Sequence, residues 1–536
     1  MYNQGLFKDW VPKPAMLLLI ILYLFPLLVV GGIYTPNFSN MMSDLALYSE
    51  YLSFANYASF IGMGTALPYL LRFKMRFRSK ELMITSLSMI ALCSMAIITT
   101  DSPYVIIAAN FVIGFFKIIA IIEFVLPLLF ILSPDGDRTK FYTVFYPLSI
   151  STAQIGGYFF AKIAYNLQWE SVYLVMAIIM LVLVLISVVF MHDLRFSRKL
   201  PLYQIDLLSM FLFVVSFFLL TYTLVFAKQQ DWFASNYIQA SILGFIITII
   251  LFLWRQKGLK RPYVPLSVFK KKNFIQGFIL LMCLGMFLAS GVIQNTFTVG
   301  ILGYDSLTNN LLNYAMVPGI IIGAIYARKW YAKKWPTKFL IISGMIFYTL
   351  HFVMMYFLIS PEVDINYLIV PSILRGMGMV ILFISIWFYA LDGFDMAETL
   401  AVASLSIVIR SLISVAFAGA IYSWLFYKLQ LQGLENIAHH LDAVNLSQFR
   451  GGGLAIYGRS RIQAVLTASK ALYGYSIIAG IIMMLFTLAI RFENTYYRRL
   501  ILVRKLLKGE SIKGYNARVR GNTVESISSG AGAVGV

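Results

Sequence analysis

The sequence predicts an all-α integral membrane protein with fourteen spans, and three observations carry that prediction. Hydrophobic residues fill 60% of the 536 positions and charged residues 12%, about half the charge of a soluble globular chain. Mean hydropathy is +0.80, and a water-soluble domain has nowhere to bury that much apolar surface. The apolar residues also gather into runs of about 20, the length a helix needs to cross a bilayer. A cytosolic enzyme, a secreted domain and a disordered chain are excluded together.

The runs are 15–35, 48–71, 81–100, 103–132, 142–164, 171–191, 207–227, 237–254, 275–299, 308–327, 338–359, 367–391, 400–427 and 471–490. The first has no small-residue cleavage site, so it reads as a span and not as a removed leader. The fourth contains Pro127, where a missing backbone N–H predicts a bend or an early end.

Fourteen spans put both termini on one side, and the basic residues choose it. Of 43 Lys and Arg, 33 fall in the segments that are inner if the N-terminus is cytoplasmic, and 7 in the outer ones. That asymmetry follows the positive-inside rule, and it accounts for the net charge of +20 without nucleic acid. The basic runs Arg255–Lys272 and Arg491–Arg520 suit anionic lipid headgroups on the same side. The expected location is the inner membrane, multi-pass, with both termini cytoplasmic.

Four segments follow: 1–191, an N-terminal six-helix half; 192–274, two linker helices and a basic inner connector; 275–490, a C-terminal six-helix half; and 491–536, a basic tail. Residues 428–470 form the longest outer loop, helical at first and interrupted at Gly451-Gly452-Gly453. Residues 521–536 are rich in Gly, Ser and Ala, a composition expected to stay disordered.

Cofactor chemistry finds no foothold. Cys93 and Cys283 both lie in apolar runs and read as small core residues. His439-His440 lacks the further ligands that a metal site requires. No GxxxxGK[ST] loop, haem attachment site or Ser-His-Asp arrangement is present. A carrier driven by an ion gradient is the simplest class left.

Local motifs narrow that class. They include Asp231-Trp232-Phe233-Ala234-Ser235-Asn236-Tyr237, the connector from Arg261-Pro262-Tyr263 through Leu266, Phe269 and Phe274, and Val317-Pro318-Gly319 in the tenth span. Others are Leu374-Arg375-Gly376-Met377-Gly378 in the twelfth, Ala403-Ser404 followed by Arg410 in the thirteenth, and Gln168-Trp169-Glu170-Ser171-Val172-Tyr173 before the sixth. In order and spacing, over about 15–490, this set resembles the major facilitator superfamily, and within it the fourteen-helix drug:proton antiporters. The sequence departs from that pattern at four places. Val29–Thr35 has no carboxylate, and Leu70–Arg76 keeps the basic charge without the family's Asp and Gly. The fourth span reads Asn110-Phe111-Val112-Ile113-Gly114 where the family has Arg. The fifth reads Thr152-Ala153-Gln154-Ile155-Gly156-Gly157.

Charges inside spans mark function or a compensating pair. Glu123 is the carboxylate placed well inside an apolar run; it reads either as a proton-coupling group or as half of a structural ion pair. Lys117 lies six residues earlier, so the two side chains point about 120° apart and stand about 9 Å apart along the helix. They are expected to find different partners. Lys117 and Arg375 are candidate contacts for an anionic substrate group, and Asn110, Gln154, Gln294 and Asn295 are candidate cavity-lining polar residues. Arg410, Gly156, Gly157, Gly376 and Gly378 read as structural or gating positions.

The resemblance implies a secondary transporter that exports an amphipathic small molecule in exchange for protons, not an enzyme, and needs no cofactor or metal. It also implies a periplasmic adaptor and an outer-membrane channel as partners, docking at 428–470. The interior cations suit a second reading, a transporter or flippase for an anionic lipid or organic acid. A third is a non-transporting membrane scaffold.

Overall fold

A computed structural model describes residues 6–31, 34, 37–133, 138–193, 205–394, 396–440, 452–490 and 492. The chain divides into a unit Met1–Met484, which holds the helical architecture, and a unit Leu485–Val536, most of which lies outside the described residues. The predicted tail 491–536, apart from residue 492, lies outside them too, as do 441–451 of the outer loop.

Each of the fourteen runs falls on helix. In chain order the helices are α1 (Lys13–Val29), α2 (Phe38–Asp44), α3 (Ser49–Ala66), α4 (Leu70–Arg76), α5 (Ser79–Ile98), α6 (Pro103–Leu132), α7 (Arg138–Asn166), α8 (Trp169–Phe190), α9 (Leu207–Phe226) and α10 (Asn236–Gly258). They continue with α11 (Lys272–Ala289), α12 (Gly291–Gly300), α13 (Ser306–Tyr314), α14 (Met316–Ala332), α15 (Thr337–Leu358), α16 (Ile365–Ala390), α17 (Met396–Val408), α18 (Ser414–His440) and α19 (Gly452–Ala489). Among the described residues, 11 helical stretches are long and apolar enough to cross a membrane. The three other runs correspond to α1, α3 and α7, which are shorter or more polar.

Four local features differ from the sequence expectation. The first run ends as helix at Val29, not near 35, because Gly31 and Gly32 follow and Gly is a poor helix former. The fourth continues through Pro127 to Leu132; in lipid, neighbouring helices can re-satisfy the one carbonyl that proline frees. The runs 275–299 and 308–327 are each broken, into α11 and α12 at Ser290 and into α13 and α14 at Ala315. The thirteenth carries a π-helical segment, Ile409–Ile413, between α17 and α18.

Two sets of helices pack around their own cores. In the first, α6 packs on α1, α3 and α5, and α8 packs on α5 and α7. In the second, α16 packs on α11, α14 and α15, and α11 packs on α18. Glycine lets backbones meet in matching places in the two sets. A Cβ on Gly114 of α6 would stand 1.9 Å from the Ser59 carbonyl oxygen of α3, and one on Gly62 of α3 would stand 2.1 Å from that of Phe111. In the second set, Gly319 of α14 meets Ile373 O at 2.0 Å and Gly376 of α16 meets Met316 O at 2.3 Å. Such small-residue contacts are how helices associate where lipid removes the hydrophobic drive. The sets meet where α7 packs on α13, α14 and α16, and where α3 packs on α17.

The linker helices α9 and α10 form a hairpin. Its α9 packs on α3 of one set and α18 of the other, with Phe218 against Phe54 and Phe111. Only 17% of the apolar window of α10 is buried, against 61% for α16, so α10 is left to face lipid.

The end of the hairpin opposite its turn is closed by polar contacts. Asp206 caps α9 by accepting the Ser209 N–H, and Arg255 of α10 holds the same carboxylate through Nε and Nη2, the latter at 2.8 Å. Gln256 donates to Ser209 Oγ and accepts from the Tyr263 N–H. Tyr263 in turn donates its hydroxyl to Thr65 O, which ties the basic connector to α3. Burial pushes the Asp206 carboxyl up, but the Arg255 and Ser209 hydrogen bonds outweigh it, and the group titrates below its ordinary value. A lowered folded-state value means that Asp206 stabilises the fold above the ordinary carboxylate range, and that this stability is lost as pH falls through the depressed value. Asp206→Asn should therefore lower the melting temperature at pH 7, and the gap to the native protein should close as the buffer is made acidic. A constant gap from pH 7 to pH 3 would show that Asp206 acts only as a neutral cap.

Candidate functional site

Residues of α12 and α13 line much of a cavity of about 420 Å³. Its wall includes Gly291, Gln294 and Asn295 from α12, Asn309, Asn310 and Asn313 from α13, Asn56 from α3, and Arg375 from α16. Arg375 lies ten residues into α16, about 15 Å along it. Its Nη1 donates to Gln294 Oε1 at 2.7 Å and its Nε to the Tyr348 hydroxyl at 3.2 Å. A guanidinium has five N–H groups, so most of its donors are left for the cavity. Gly291 keeps the approach clear, since a Cβ there would stand 3.1 Å from Arg375 Nη2. Asn295 accepts from Asn309 Nδ2 at 2.6 Å, and Asn309 Oδ1 accepts from Thr298 at 2.7 Å.

The structure thus brings together Arg375, Gln294 and Asn295 from the sequence candidates. It places the others elsewhere. Asn110 is buried within α6, its Nδ2 spent on Ile106 O at 2.7 Å. Gln154, half-buried on α7, is not part of this wall. Sequence reading passed over Asn309, Asn310 and Asn313. The signal was there: three asparagines within five residues at the head of an apolar run.

Lys117 and Glu123 find separate partners, as their spacing on α6 predicts. Lys117 Nζ donates to the carbonyl of Val30, just past the end of α1. A helix end leaves its last carbonyls free, and a cation there also meets the favourable end of the helix dipole. Glu123 pairs with Lys74 of α4, Nζ to Oε2 3.3 Å, both side chains under 10% exposed. In the sequence Lys74, in the basic stretch Leu70–Arg76, lies outside the apolar runs. Glu123 lies twenty residues from the start of α6, about 30 Å, so it sits toward the C-terminal end of that helix and not at the centre of the span.

Residues 20–419 match the sequence profile of the Major Facilitator Superfamily. The chain belongs to that superfamily. It is 27% identical over 161 residues to the lincomycin resistance protein LmrB of Listeria monocytogenes and, equally, to that of Listeria innocua. Those matches take in 28% of this chain and 33% of each relative, so they span about a third of the relatives' length. Among solved structures, the nucleoside transporter NupG matches with a TM-score of 0.51 at 13% identity, over 89% of this chain and 99% of that one. A POT family transporter in complex with a thioalcohol-conjugated peptide matches with a TM-score of 0.55 at 12% identity, over 88% and 96%. At such identities the likeness is one of fold. This facilitator is a multi-pass membrane protein, and its superfamily is one of transporters.

The remaining candidates of this facilitator are packing and cavity positions. Gly376 and Gly378 of α16 meet the backbones of α14 and α15, and Gly156 of α7 meets Val29 of α1. Gly157 differs, since a Cβ there would meet nothing within 4 Å. Arg410, in the π-helical segment, donates to Ser411 Oγ at 3.2 and 3.1 Å. Its guanidinium lies over the rings of Phe383 and Trp387, 4.7 and 5.5 Å from their centroids.

Proposed function

We propose that this facilitator is a secondary active transporter of an amphipathic small molecule with an acidic head group. One observation supports the acidic head. Three cations stand within the helical bundle, and the groups that hold them are neutral: a carbonyl for Lys117, Gln294 and Tyr348 for Arg375, and Ser411 with two rings for Arg410. The interior carboxylate, Glu123, already has the Lys74 ammonium beside it. Each bare cation in a span costs about 2.5–3.5 kcal/mol on insertion scales, and an anionic cargo in the cavity would offset part of that.

Export in exchange for protons is the direction we propose, with both termini cytoplasmic as the basic split implies. The partial likeness to lincomycin resistance proteins favours export of a drug-like compound. Proton handling belongs, in this reading, to the Glu123–Lys74 pair, because protonating Glu123 removes the attraction between α6 and the inner connector α4. A second reading, a proton-driven exporter of cationic compounds, would use Glu123 directly as counter-charge.

Proteoliposomes under an imposed pH gradient test both. The expected result is transport of an acidic amphiphile such as a naphthalene carboxylate, and little of a matched quaternary amine. The reverse preference would replace the first reading by the second. Glu123→Gln should leave gradient-independent exchange while abolishing the response to the gradient. Removing one member of a buried pair can cost about 3–5 kcal/mol, so the double variant Lys74→Met/Glu123→Gln serves as the folding control. Gradient-driven transport by a folded Glu123→Gln protein would exclude Glu123 from coupling.

A further inference from the structure

The aromatic box around Arg410 is separate from the Arg375 cavity. Phe383 and Trp387 belong to α16, eight and twelve residues beyond Arg375, which is about 12 and 18 Å along the helix. Tyr146 of α7 closes the box from the other helix set, with ring centroids 6.4 Å from Phe383 and 5.9 Å from Trp387. Arg410 thus sits between the two sets of helices and not against lipid.

The chain is specially shaped here. Arg410 stands in the π-helical Ile409–Ile413, where Ser414 Oγ donates to Ile409 O at 2.6 Å. Such inserted turns often mark functional positions, because the extra residue changes the direction in which a side chain projects. The two rings hold the guanidinium by its faces. Ser411 takes Nε and Nη2, which leaves the Nη1 edge. Among the described residues no carboxylate pairs with it. A purely structural arginine in a bundle would be expected to end on a carboxylate or on backbone carbonyls. This one is pre-positioned by stacking, with a fork still able to bind an oxyanion.

We propose that Arg410, framed by Phe383, Trp387 and Tyr146, is a second oxyanion-binding station that holds the acidic head group of the cargo, on the inner side of the Arg375 cavity. The proposal rests on the acidic-cargo reading above. The rings suit the apolar body of an amphipathic acid while the guanidinium takes its carboxylate. Two stations on one helix would let the head group pass from one guanidinium to the other as the helix sets alternate.

The test is equilibrium binding to the full chain in nanodiscs of zwitterionic lipid, with 1-naphthoate and its neutral amide as probes. The native protein should bind two naphthoates. Arg410→Gln should bind one, at the affinity of the Arg375 cavity, and Arg375→Met should keep the other. Arg410→Lys, a point charge in place of a fork, should weaken the second site at least tenfold. It also decides the matter if Arg410→Gln does not fold. The amide should not distinguish native protein from either Arg410 variant. One naphthoate in the native protein, lost in Arg375→Met and untouched in both Arg410 variants, would overturn the second station and leave the acidic-cargo reading standing. No naphthoate bound at all would overturn both.

Discussion

Arg375→Met is expected to weaken binding of an acidic amphiphile at the main cavity about a hundredfold, and binding of its neutral analogue less than threefold. The reason is the guanidinium's arrangement. Gln294 and Tyr348 fix it through Nη1 and Nε, and Gly291 leaves its Nη2 side open. A carboxylate in the cavity would receive two parallel charged hydrogen bonds, each contributing about 1.5–3 kcal/mol. At 1.4 kcal/mol per factor of ten, the lower end of that range already gives the hundredfold. Arg375→Lys should recover part of the loss, because it restores charge without the fork. Titration of each purified variant with both probes reads the effect. An equal loss for acid and neutral analogue would assign Arg375 to holding Gln294 and Tyr348 in place, and would remove the main support for acidic cargo.

Gly114→Val and Gly376→Val are expected to leave almost no folded protein, while Gly157→Ala should express normally and melt no lower than the native chain. At Gly114 even the first carbon of a side chain would lie 1.9 Å from Ser59 O, and at Gly376 2.3 Å from Met316 O. The atoms in the way are backbone, so no rotamer change relieves the clash, and the helices must separate. Ordinary overpacking of a core costs about 1–3 kcal/mol. Separating α3 from α6 also breaks the reciprocal contact at Gly62, so the effect should exceed that range. Gly157 has open space around it, and in a helix alanine is preferred to glycine by about 1 kcal/mol. Yield and melting temperature in detergent are the measurements. A well-folded Gly376→Val protein would mean that α14 and α16 can part without loss.

How far the sequence reaches can be judged from single residues. The fourteen apolar runs were legible because lipid makes every backbone polar group bond within its own helix; that constraint is local, and composition alone reveals it. Arg375, which lines the cavity, was legible as a candidate because a charge inside a span is conspicuous. The separation of Lys117 from Glu123 was legible too, because it follows from helix geometry on one element. The breaks at Ser290 and Ala315 were not, because an interrupted helix keeps the same hydropathy as a continuous one.

The sequence by itself determined the membrane class, the helices and the residue types available to a site. Only the tertiary structure decided their partners. Lys74 meets Glu123 across forty-nine residues of chain, and Gly376 meets Met316 across sixty. The Phe383–Trp387 pair on α16 meets Arg410 from a different helix. Helix formation depends on neighbours a few residues apart, whereas these contacts depend on which helix faces which, and in lipid that choice is made by close packing and polar pairing between distant segments.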